Sequence, residues 1–167
     1  MITIRPVTVA DAAALLALAY QLDQESRFMM LEPDERQTSV AEQALQLTTL
    51  LAQPNQMIFV AADGDQLVGY LGAQGGVFRR NRHSAELVIG ILAAYAGQGI
   101  GTRLFAALLA WAPTVGLSRL ELTVMVHNSR AIALYQKMGF VSEGSKRHSL
   151  RVDGHYVDEY YMARLLD

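Results

Sequence analysis

Ala96-Gly97-Gln98-Gly99-Ile100-Gly101-Thr102 is a glycine-dense segment at which the pattern of this chain changes from strand to helix. A short apolar run, Ala85 to Leu92, precedes it and predicts a buried strand, and apolar residues at helical spacing follow it from Leu104 to Val115. Glycines at such a turn let the backbone approach an anion closely, and the N–H groups and dipole of the helix favour phosphate. A tight turn with no ligand explains the same glycines, so the pattern alone leaves both interpretations open.

Two common nucleotide-binding loops do not fit this segment. A dinucleotide-binding loop needs Gly-x-Gly-x-x-Gly, and Thr102 stands where the last glycine of that pattern would be. A P-loop ends in Gly-Lys-Ser or Gly-Lys-Thr, which the segment lacks. The segment therefore does not match the phosphate-binding loop of either class of nucleotide-binding protein.

The N-terminal part of the chain predicts one strand and two helices. Ile2 to Val7 is a β-like run, and a capping box of Thr8 and Asp11 then begins a helix that is predicted from about Val9 to Glu25. A second helix is predicted from Ser39 to Gln53.

A hairpin and a further strand lie before the glycine-dense segment. Met57 to Ala62 and Leu67 to Leu71 are apolar runs on either side of Asp63-Gly64-Asp65, which is a turn signal. The run from Ala85 to Leu92 is then the fourth predicted strand of the chain.

The C-terminal part predicts three more strands and a short helix. Leu120 to Val126 alternates apolar and polar residues and is the clearest strand of the chain, and Ala131 to Met138 has the spacing of a short helix face. Phe140 to Ser149 and Tyr156 to Leu165 predict two final strands. The predicted order is β-α-α-β-β-β-α-β-α-β-β, which indicates an α/β fold with a mixed sheet in a single domain, residues 1–167.

The composition narrows the class of protein further. The chain has 167 residues, and its 51% apolar and 18% charged residues exclude intrinsic disorder. Its 14 Lys and Arg against 16 Asp and Glu give a net charge of −2, which argues against a nucleic-acid partner. There is no cysteine, so disulfides, cysteine zinc sites and thiol nucleophiles are excluded, and the 4 histidines have no metal-ligand spacing. We therefore expect no metal site.

Membrane insertion and export are not expected. No apolar run reaches the roughly 18 residues of a membrane span, and the longest, Ala10 to Tyr20, contains Asp11. The first residues, Met1 to Pro6, lack the charged and apolar regions of a signal peptide. We expect a cytoplasmic protein with no membrane partner.

Two motifs carry a resemblance to a known family. The first is Ala96-Gly97-Gln98-Gly99-Ile100-Gly101, and the second is Asn128-Ser129-Arg130-Ala131-Ile132-Ala133-Leu134-Tyr135-Gln136-Lys137-Met138-Gly139-Phe140. They resemble the acetyl-CoA loop Arg/Gln-x-x-Gly-x-Gly/Ala and the segment Asn-x-x-Ala-x-x-x-Tyr-x-x-x-Gly-Phe of the GCN5-related N-acetyltransferase (GNAT) family. The resemblance is strong over residues 83–140, and residues 153–162 are similar to that family's last hairpin. Ala96 departs from the pattern, since the family has Arg or Gln there.

The resemblance implies a fold, a cofactor and a reaction. The fold would be a mixed, mostly antiparallel twisted sheet of about six or seven strands flanked by about four helices. The cofactor would be acetyl-CoA, and the reaction would be direct acetyl transfer to an amine in a ternary complex. The residues that match the family's cofactor-binding positions are Ile91, Leu92, Ala93, Gly97, Gln98, Gly99, Ile100, Gly101, Thr102, Asn128 and Tyr135.

The same resemblance implies two catalytic residues. Tyr135 matches the family's tyrosine near the CoA sulfur, and a tyrosine that is protonated at neutral pH can donate to the departing thiolate. The alternative for Tyr135 is an ordinary core aromatic on a helix face. The amine must lose a proton, and Glu86 on the fourth predicted strand is the first candidate for the base, with Glu121 or a chain of water molecules as alternatives.

The acceptor side would be covered by the first helices and the loop that follows them. This implies that Glu25, Phe28 and Tyr160 bind the acceptor, and acids beside aromatic residues suit a cationic amine with an apolar body, such as an amino acid or another small amine. The N-terminus or a lysine of a protein is the alternative acceptor, and a non-catalytic acyl-CoA-binding module is the alternative to an enzyme. Monomer and homodimer both stay open.

Overall fold

The computed structural model describes all 167 residues, Met1 to Asp167. Seven strands form one sheet, with the bounds β1 Ile2–Pro6, β2 Gln56–Asp63, β3 Gln66–Gly75, β4 Ser84–Ile91, β5 Arg119–Met125, β6 Val141–Val152 and β7 His155–Leu165. The four α-helices are α1 Ala12–Glu25, α2 Val40–Leu51, α3 Ile100–Trp111 and α4 Ser129–Lys137. The order of elements along the chain is the predicted one, so the predicted α/β fold with a mixed sheet is confirmed.

The sheet has an opening at its centre. Across it the strands follow the order β1-β2-β3-β4-β5-β7-β6, and all neighbours are antiparallel apart from β4 and β5, which run parallel. β4 and β5 pair only over Ser84–Glu86 and Arg119–Glu121, and then they separate. We call the space between residues 87–91 of β4 and residues 122–125 of β5 the central gap.

Helices cover both faces of the sheet. Gly90 and Ile91 are neighbours in β4, so they face opposite sides of the sheet. A Cβ built at Gly90 would lie 2.7 Å from the side chain of Leu22 in α1. A Cβ built at Gly101 of α3 would lie 3.5 Å from the side chain of Ile91. α1 therefore lies on one face and α3 on the other, and α2 packs beside α1. The close approach of Leu22 explains why a glycine stands inside β4.

The predicted start of the first helix forms with one difference. The Asp11 carboxylate accepts the Thr8 N–H at 2.8 Å, as in a capping box, and it also accepts from the guanidinium of Arg5. This guanidinium holds the pKa of Asp11 well below its usual range. The box begins a 3-10 turn, Val9–Asp11, and α1 starts only at Ala12, later than predicted.

None of the four helices combines the length and hydropathy that crossing a membrane requires.

Candidate active site

The central gap opens into a cleft with a volume of about 830 Å³. The cleft runs from the segment after α1, past β4 and β5, to the glycine-dense loop before α3. We call residues 96–102 with residues 128–135 the loop end. The α1 end consists of those residues among 22–36 that line the cleft, together with Tyr70, Glu86 and Glu159. The central gap joins the two ends, so one continuous space links the residues of both motifs to the segment that follows α1.

The edge of β4 that faces the gap carries unpaired backbone groups. The Leu92 N–H donates to the Val68 carbonyl of β3 at 2.9 Å. Since alternate residues of an antiparallel strand bond to the same neighbour, the even-numbered residues of β4 bond to β3. Ile89 and Ile91, which lie beyond the last β4–β5 register pair, therefore direct their N–H and C=O groups into the gap. An extended ligand arm with its own amides can pair with this edge as an added strand.

The three predicted cofactor-binding residues at the end of β4 have different environments. Ile91 lines the cleft and has its N–H free. Leu92 is 1% exposed and its N–H is taken by Val68, so the structure does not bring Leu92 to the cleft. Ala93 lines the cleft, but its N–H donates to the Glu25 carboxylate at 2.6 Å. Ile91 alone offers an unpaired amide.

The loop of residues 96–102 presents backbone donors. Gly97 and Gly99 have φ angles of 76° and 77°, which residues with a side chain rarely adopt. None of the six consecutive N–H groups from Gly97 to Thr102 donates a hydrogen bond within the protein, and the first helical bond runs from the Arg103 N–H to the Gly99 carbonyl at 3.1 Å. Unpaired donors at the start of a helix form an anion-binding surface. The loop therefore fits the phosphates of acetyl-CoA.

The other predicted loop residues are placed by packing. The side chain of Ile100 is buried in the core. A Cβ at Gly101 would lie 2.7 Å from Leu134 of α4, so this glycine allows the two helices to approach. The Gln98 side chain is exposed, bonds to a backbone carbonyl of its own turn at 3.4 Å and does not line the cleft. Both interpretations of the glycines thus apply, each to different glycines.

α4 brings two predicted residues to the loop end. Asn128 lines the cleft and caps the helix, its side-chain oxygen accepting the Ala131 N–H at 3.4 Å. Tyr135 is 7% exposed, and its ring meets that of Phe105 edge-on with centroids 6.0 Å apart. Its hydroxyl has no partner in the protein, and since no buried side-chain oxygen lacks one, this hydroxyl opens to the cleft. Burial raises the pKa of Tyr135 to about 12, and nearby Tyr70 adds to the shift, so the phenol stays protonated at neutral pH.

Glu86 and Glu121 are register partners with different surroundings. Glu121 accepts a hydrogen bond from Arg119 at 2.7 Å and does not line the cleft. Glu86 is exposed, lines the cleft and has no ion-pair partner. Of these two carboxylates, Glu86 is the one with free oxygens at the cleft.

The segment after α1 forms a roof over the α1 end. Phe28 lines the cleft, and its ring centroid lies 5.2 Å from that of His127, which follows β5 on the far side of the gap. Arg36 donates from Nε to Oδ2 of the buried Asp23 at 2.5 Å. This ion pair ties the segment to α1. We call residues 26–35 the roof.

The last hairpin brings Glu159, and not Tyr160, to the cleft. Neighbouring residues of β7 face opposite sides of the sheet, and Tyr160 packs against the core. Glu159 is 7% exposed, lines the cleft and accepts a hydrogen bond from the Ser149 hydroxyl. Glu159 was not predicted from the sequence. The signal was the alternation of strand residues, which places Glu159 and Tyr160 on opposite faces of β7, so that only one of the two can face the cleft.

The α1 end has an excess of negative charge. Its carboxylates are Asp23, Glu25, Glu86 and Glu159, and its guanidinium groups are those of Arg27 and Arg36. Sequence reasoning identified Glu25 and Glu86 but not the buried Asp23–Arg36 pair, whose two members are far from any motif. Tyr70, which lines the same end, was also missed, and burial raises its pKa to about 12.

Comparison with known proteins places the fold and the site in one family. Residues 17–140 match the acetyltransferase (GNAT) family. The L-amino acid N-acetyltransferase AaaT of Escherichia coli (strain K12) is 35% identical over 112 residues, which are 66% of this chain and 68% of that protein. The N-alpha-acetyltransferase RimI of Mycobacterium tuberculosis is 38% identical over 118 residues, which are 68% of this chain and 69% of that protein.

A solved structure shows the same relationship over the full length. The crystal structure of an acetyltransferase of the GNAT family from Streptococcus pneumoniae superposes with a TM-score of 0.95 at 31% identity, covering 100% of both chains. The family match takes in both motifs, the central gap and the loop end together. The chain belongs to the acetyltransferase (GNAT) family and is an acetyl-CoA-dependent N-acetyltransferase.

Proposed function

We propose that this enzyme acetylates the primary amine of a small molecule, an amino acid or another small amine, in a ternary complex with acetyl-CoA. The roof carries this proposal, because it spans the central gap where Phe28 meets His127. A covered pocket in which carboxylates lie beside apolar side chains suits a small cation with an apolar body. The similarity to AaaT, an L-amino acid N-acetyltransferase, supports the same class of acceptor.

Binding of the cofactor uses the backbone of two segments. When bound, acetyl-CoA supplies a thioester that is activated toward an amine. The free N–H groups of residues 97–102 bind its phosphates, and the unpaired edge of β4 at Ile91 holds its extended arm. N–H groups of the same edge point into the gap, where a donor stabilises the negative charge that develops on a carbonyl oxygen.

The acceptor amine requires a base. An alkylamine is mostly protonated to the alkylammonium ion at neutral pH, and its nitrogen can attack only after the ion loses a proton. Glu86 accepts this proton, directly or through water, because its oxygens are free and lie at the cleft. Glu121 is held by Arg119, which supports Glu86 as the base.

The leaving sulfur requires a hydrogen-bond donor. Burial raises the pKa of Tyr135 to about 12, so its hydroxyl keeps its proton at working pH. This hydroxyl opens to the cleft and has no partner within the protein, which leaves it free to donate to the departing thiolate.

One other acceptor is an alternative. Similarity to RimI, an N-alpha-acetyltransferase, favours a protein N-terminus as the acceptor. The roof argues against this alternative, because a peptide chain needs an open groove. The Glu86 carboxylate and the Tyr135 hydroxyl at the cleft agree with catalysis and not with a non-catalytic acyl-CoA-binding module.

Release of the CoA thiol across a panel of amines tests the proposal. The panel holds amino acids, polyamines, aminoglycosides and short peptides, with wild type, Tyr135→Phe and the control Tyr156→Phe. Tyr156 is exposed and lies outside the cleft. We expect an amino acid or small amine to be acetylated by wild type and Tyr156→Phe and more slowly by Tyr135→Phe. Turnover of peptides alone, or of none of the small amines, would overturn the small-molecule acceptor.

A further inference from the structure

The loop end has no carboxylate in its elements. No Asp or Glu occurs from Leu87 to Leu120 or from Leu122 to Ser142, although the chain has 16 of them. Residues 93–102 also contain no Lys or Arg, so the loop presents backbone donors without a charged side chain. A cation at the loop end must therefore come from another element.

α4 places a guanidinium beside the loop. A Cβ at Gly97 would lie 3.1 Å from Nη2 of Arg130, and Arg130 lines the cleft without an ion-pair partner. Leu134 is one turn further along α4 on the same face and packs against Gly101. This contact fixes that face of α4 against the loop, and the Arg130 side chain lies beside Gly97, the first of the six residues with free N–H groups.

The position of Arg130 is unfavourable for its own helix. Arg130 lies in the first turn of α4, directly after the cap Asn128 and Ser129, and this turn contains no acid. The helix dipole favours anions and disfavours cations in a first turn. A residue that opposes a local preference and gains no partner within the protein is expected at a functional site.

The other cations of the same region are already engaged. Arg103 donates to the Ile2 carbonyl at 2.9 Å, and Arg119 forms two ion pairs. Lys137 donates to the Thr102 hydroxyl oxygen at 3.4 Å and does not line the cleft. Arg130 is therefore the cation that the loop end presents to a ligand.

We propose that Arg130 binds the diphosphate of acetyl-CoA opposite the N–H groups of residues 97–102. A planar guanidinium can donate two parallel hydrogen bonds to a phosphate, which complements the backbone donors on the other side. The cation that loop residue Ala96 does not provide thus comes from α4. This inference rests on the cofactor of the enzyme and is independent of the acceptor proposed above.

Titration calorimetry with CoA and with 3′-dephospho-CoA tests the assignment. The proteins are wild type, Arg130→Gln and Arg80→Gln, whose arginine is exposed in the turn before β4, outside the cleft. The control therefore removes the same charge at a distance. We expect Arg130→Gln to weaken both ligands equally, by about 10- to 100-fold, as for a lost charge-assisted hydrogen bond. Arg80→Gln should change either dissociation constant by less than about twofold.

Three results would overturn the assignment. The first is equal affinity in Arg130→Gln and Arg80→Gln, since removal of either charge would then have the same effect. The second is a loss for CoA that is absent for 3′-dephospho-CoA, since the contact would then be with the 3′-phosphate. The third is a lower thermal midpoint for Arg130→Gln than for wild type, because removing a cation from a first helical turn should leave stability unchanged or raise it.

Discussion

The loop end and the α1 end of the cleft carry opposite charges and are built by different means. The loop end consists of backbone N–H groups and one guanidinium, from Arg130, with no carboxylate. The α1 end has four carboxylates against two guanidinium groups, under a roof with apolar side chains. The charge of the α1 end disfavours an anion and that of the loop end disfavours a cation, so the two ends would orient the anionic cofactor and the proposed cationic acceptor in one direction along the groove.

The largest effect is expected from filling the loop end. A Cβ built at Gly99 would meet nothing within 4 Å, so the valine side chain of Gly99→Val would project into the open space in front of the loop. The φ of 77° at this position also strains a residue that has a side chain. Loss of two charge-assisted hydrogen bonds to phosphate should raise the Kd of acetyl-CoA by about 100-fold or more, measured by calorimetry.

Gly116→Val is the matched control for this change. Gly116 has a φ of 80°, also has nothing within 4 Å of a Cβ and lies outside the cleft. The two variants should lose similar amounts of stability, and only Gly99→Val should lose the cofactor. Equal affinity of both variants for acetyl-CoA would show that its phosphates do not bind at the loop end.

The next effect tests the chemistry at the boundary between the ends. Tyr135→Phe removes the hydroxyl that opens to the cleft, and we expect kcat to fall by about 100-fold, as for loss of a general acid, with the KM for acetyl-CoA unchanged. A loss of cofactor affinity with kcat unchanged would instead make Tyr135 a binding residue.

The pH dependence of wild type follows from the same group. Burial raises the pKa of Tyr135 to about 12, whereas the pKa of a tyrosine in the unfolded chain is about 10. Between these two pH values the folded protein keeps the phenolic proton and the unfolded chain loses it. We expect no loss of kcat between about pH 8 and 10. The contribution of this group to stability is complete below pH 10 and falls as pH rises from about 10 to about 12, measured by denaturant unfolding. A fall in kcat with a midpoint near 9 would contradict a protonated Tyr135.

A smaller effect is expected from a carboxylate of the α1 end. Glu86→Gln should lower kcat about 10- to 100-fold at neutral pH, and the deficit should shrink at high pH, where the amine is neutral without a base. Glu121→Gln is the control, because Glu121 is the register partner of Glu86 and is held by Arg119 outside the cleft. A deficit that does not depend on pH would mean that Glu86 is not the base.

The smallest effect is expected from the roof. Phe28→Ala removes a half-exposed ring, which should raise the KM for the acceptor about fivefold and leave the Kd of acetyl-CoA unchanged, since roughly 1 kcal/mol of apolar burial is lost. Phe78→Ala serves as the control, because that ring is 71% exposed and outside the cleft. If Phe28→Ala weakens the cofactor as well, the two ends are not separate.

The two ends also differ in how far the sequence predicts them. The loop end comes from consecutive residues and from one helix, so motif spacing predicts which residues meet there. Gly97, Gly99 to Thr102, Asn128 and Tyr135 all line the cleft. The α1 end is assembled from α1, β4 and β7, whose contacts depend on the strand order of the sheet. No spacing along the chain predicts that β7 lies between β5 and β6.

Two differences between expectation and structure have the same physical cause. Strand residues alternate in direction, so a shift of one residue changes both the face and the neighbouring strand. Tyr160 was expected at the acceptor, but its neighbour Glu159 lines the cleft. Leu92 was expected at the cofactor, but its N–H bonds across the sheet to Val68, while Ile91 faces the gap. The sequence shows that successive strand residues alternate, but it does not show which of them face the cleft.

The central gap gives strands in the middle of the sheet the behaviour of an exposed edge. The amide protons of Ile89 and Ile91 have no acceptor across the gap, so we expect them to exchange rapidly with deuterated solvent and to become protected when a ligand completes the sheet. A ligand that binds only the folded state at about 100 times its Kd adds about 2.7 kcal/mol to the free energy of unfolding. The resistance of this enzyme to proteolysis in the cell should therefore rise and fall with the supply of acetyl-CoA.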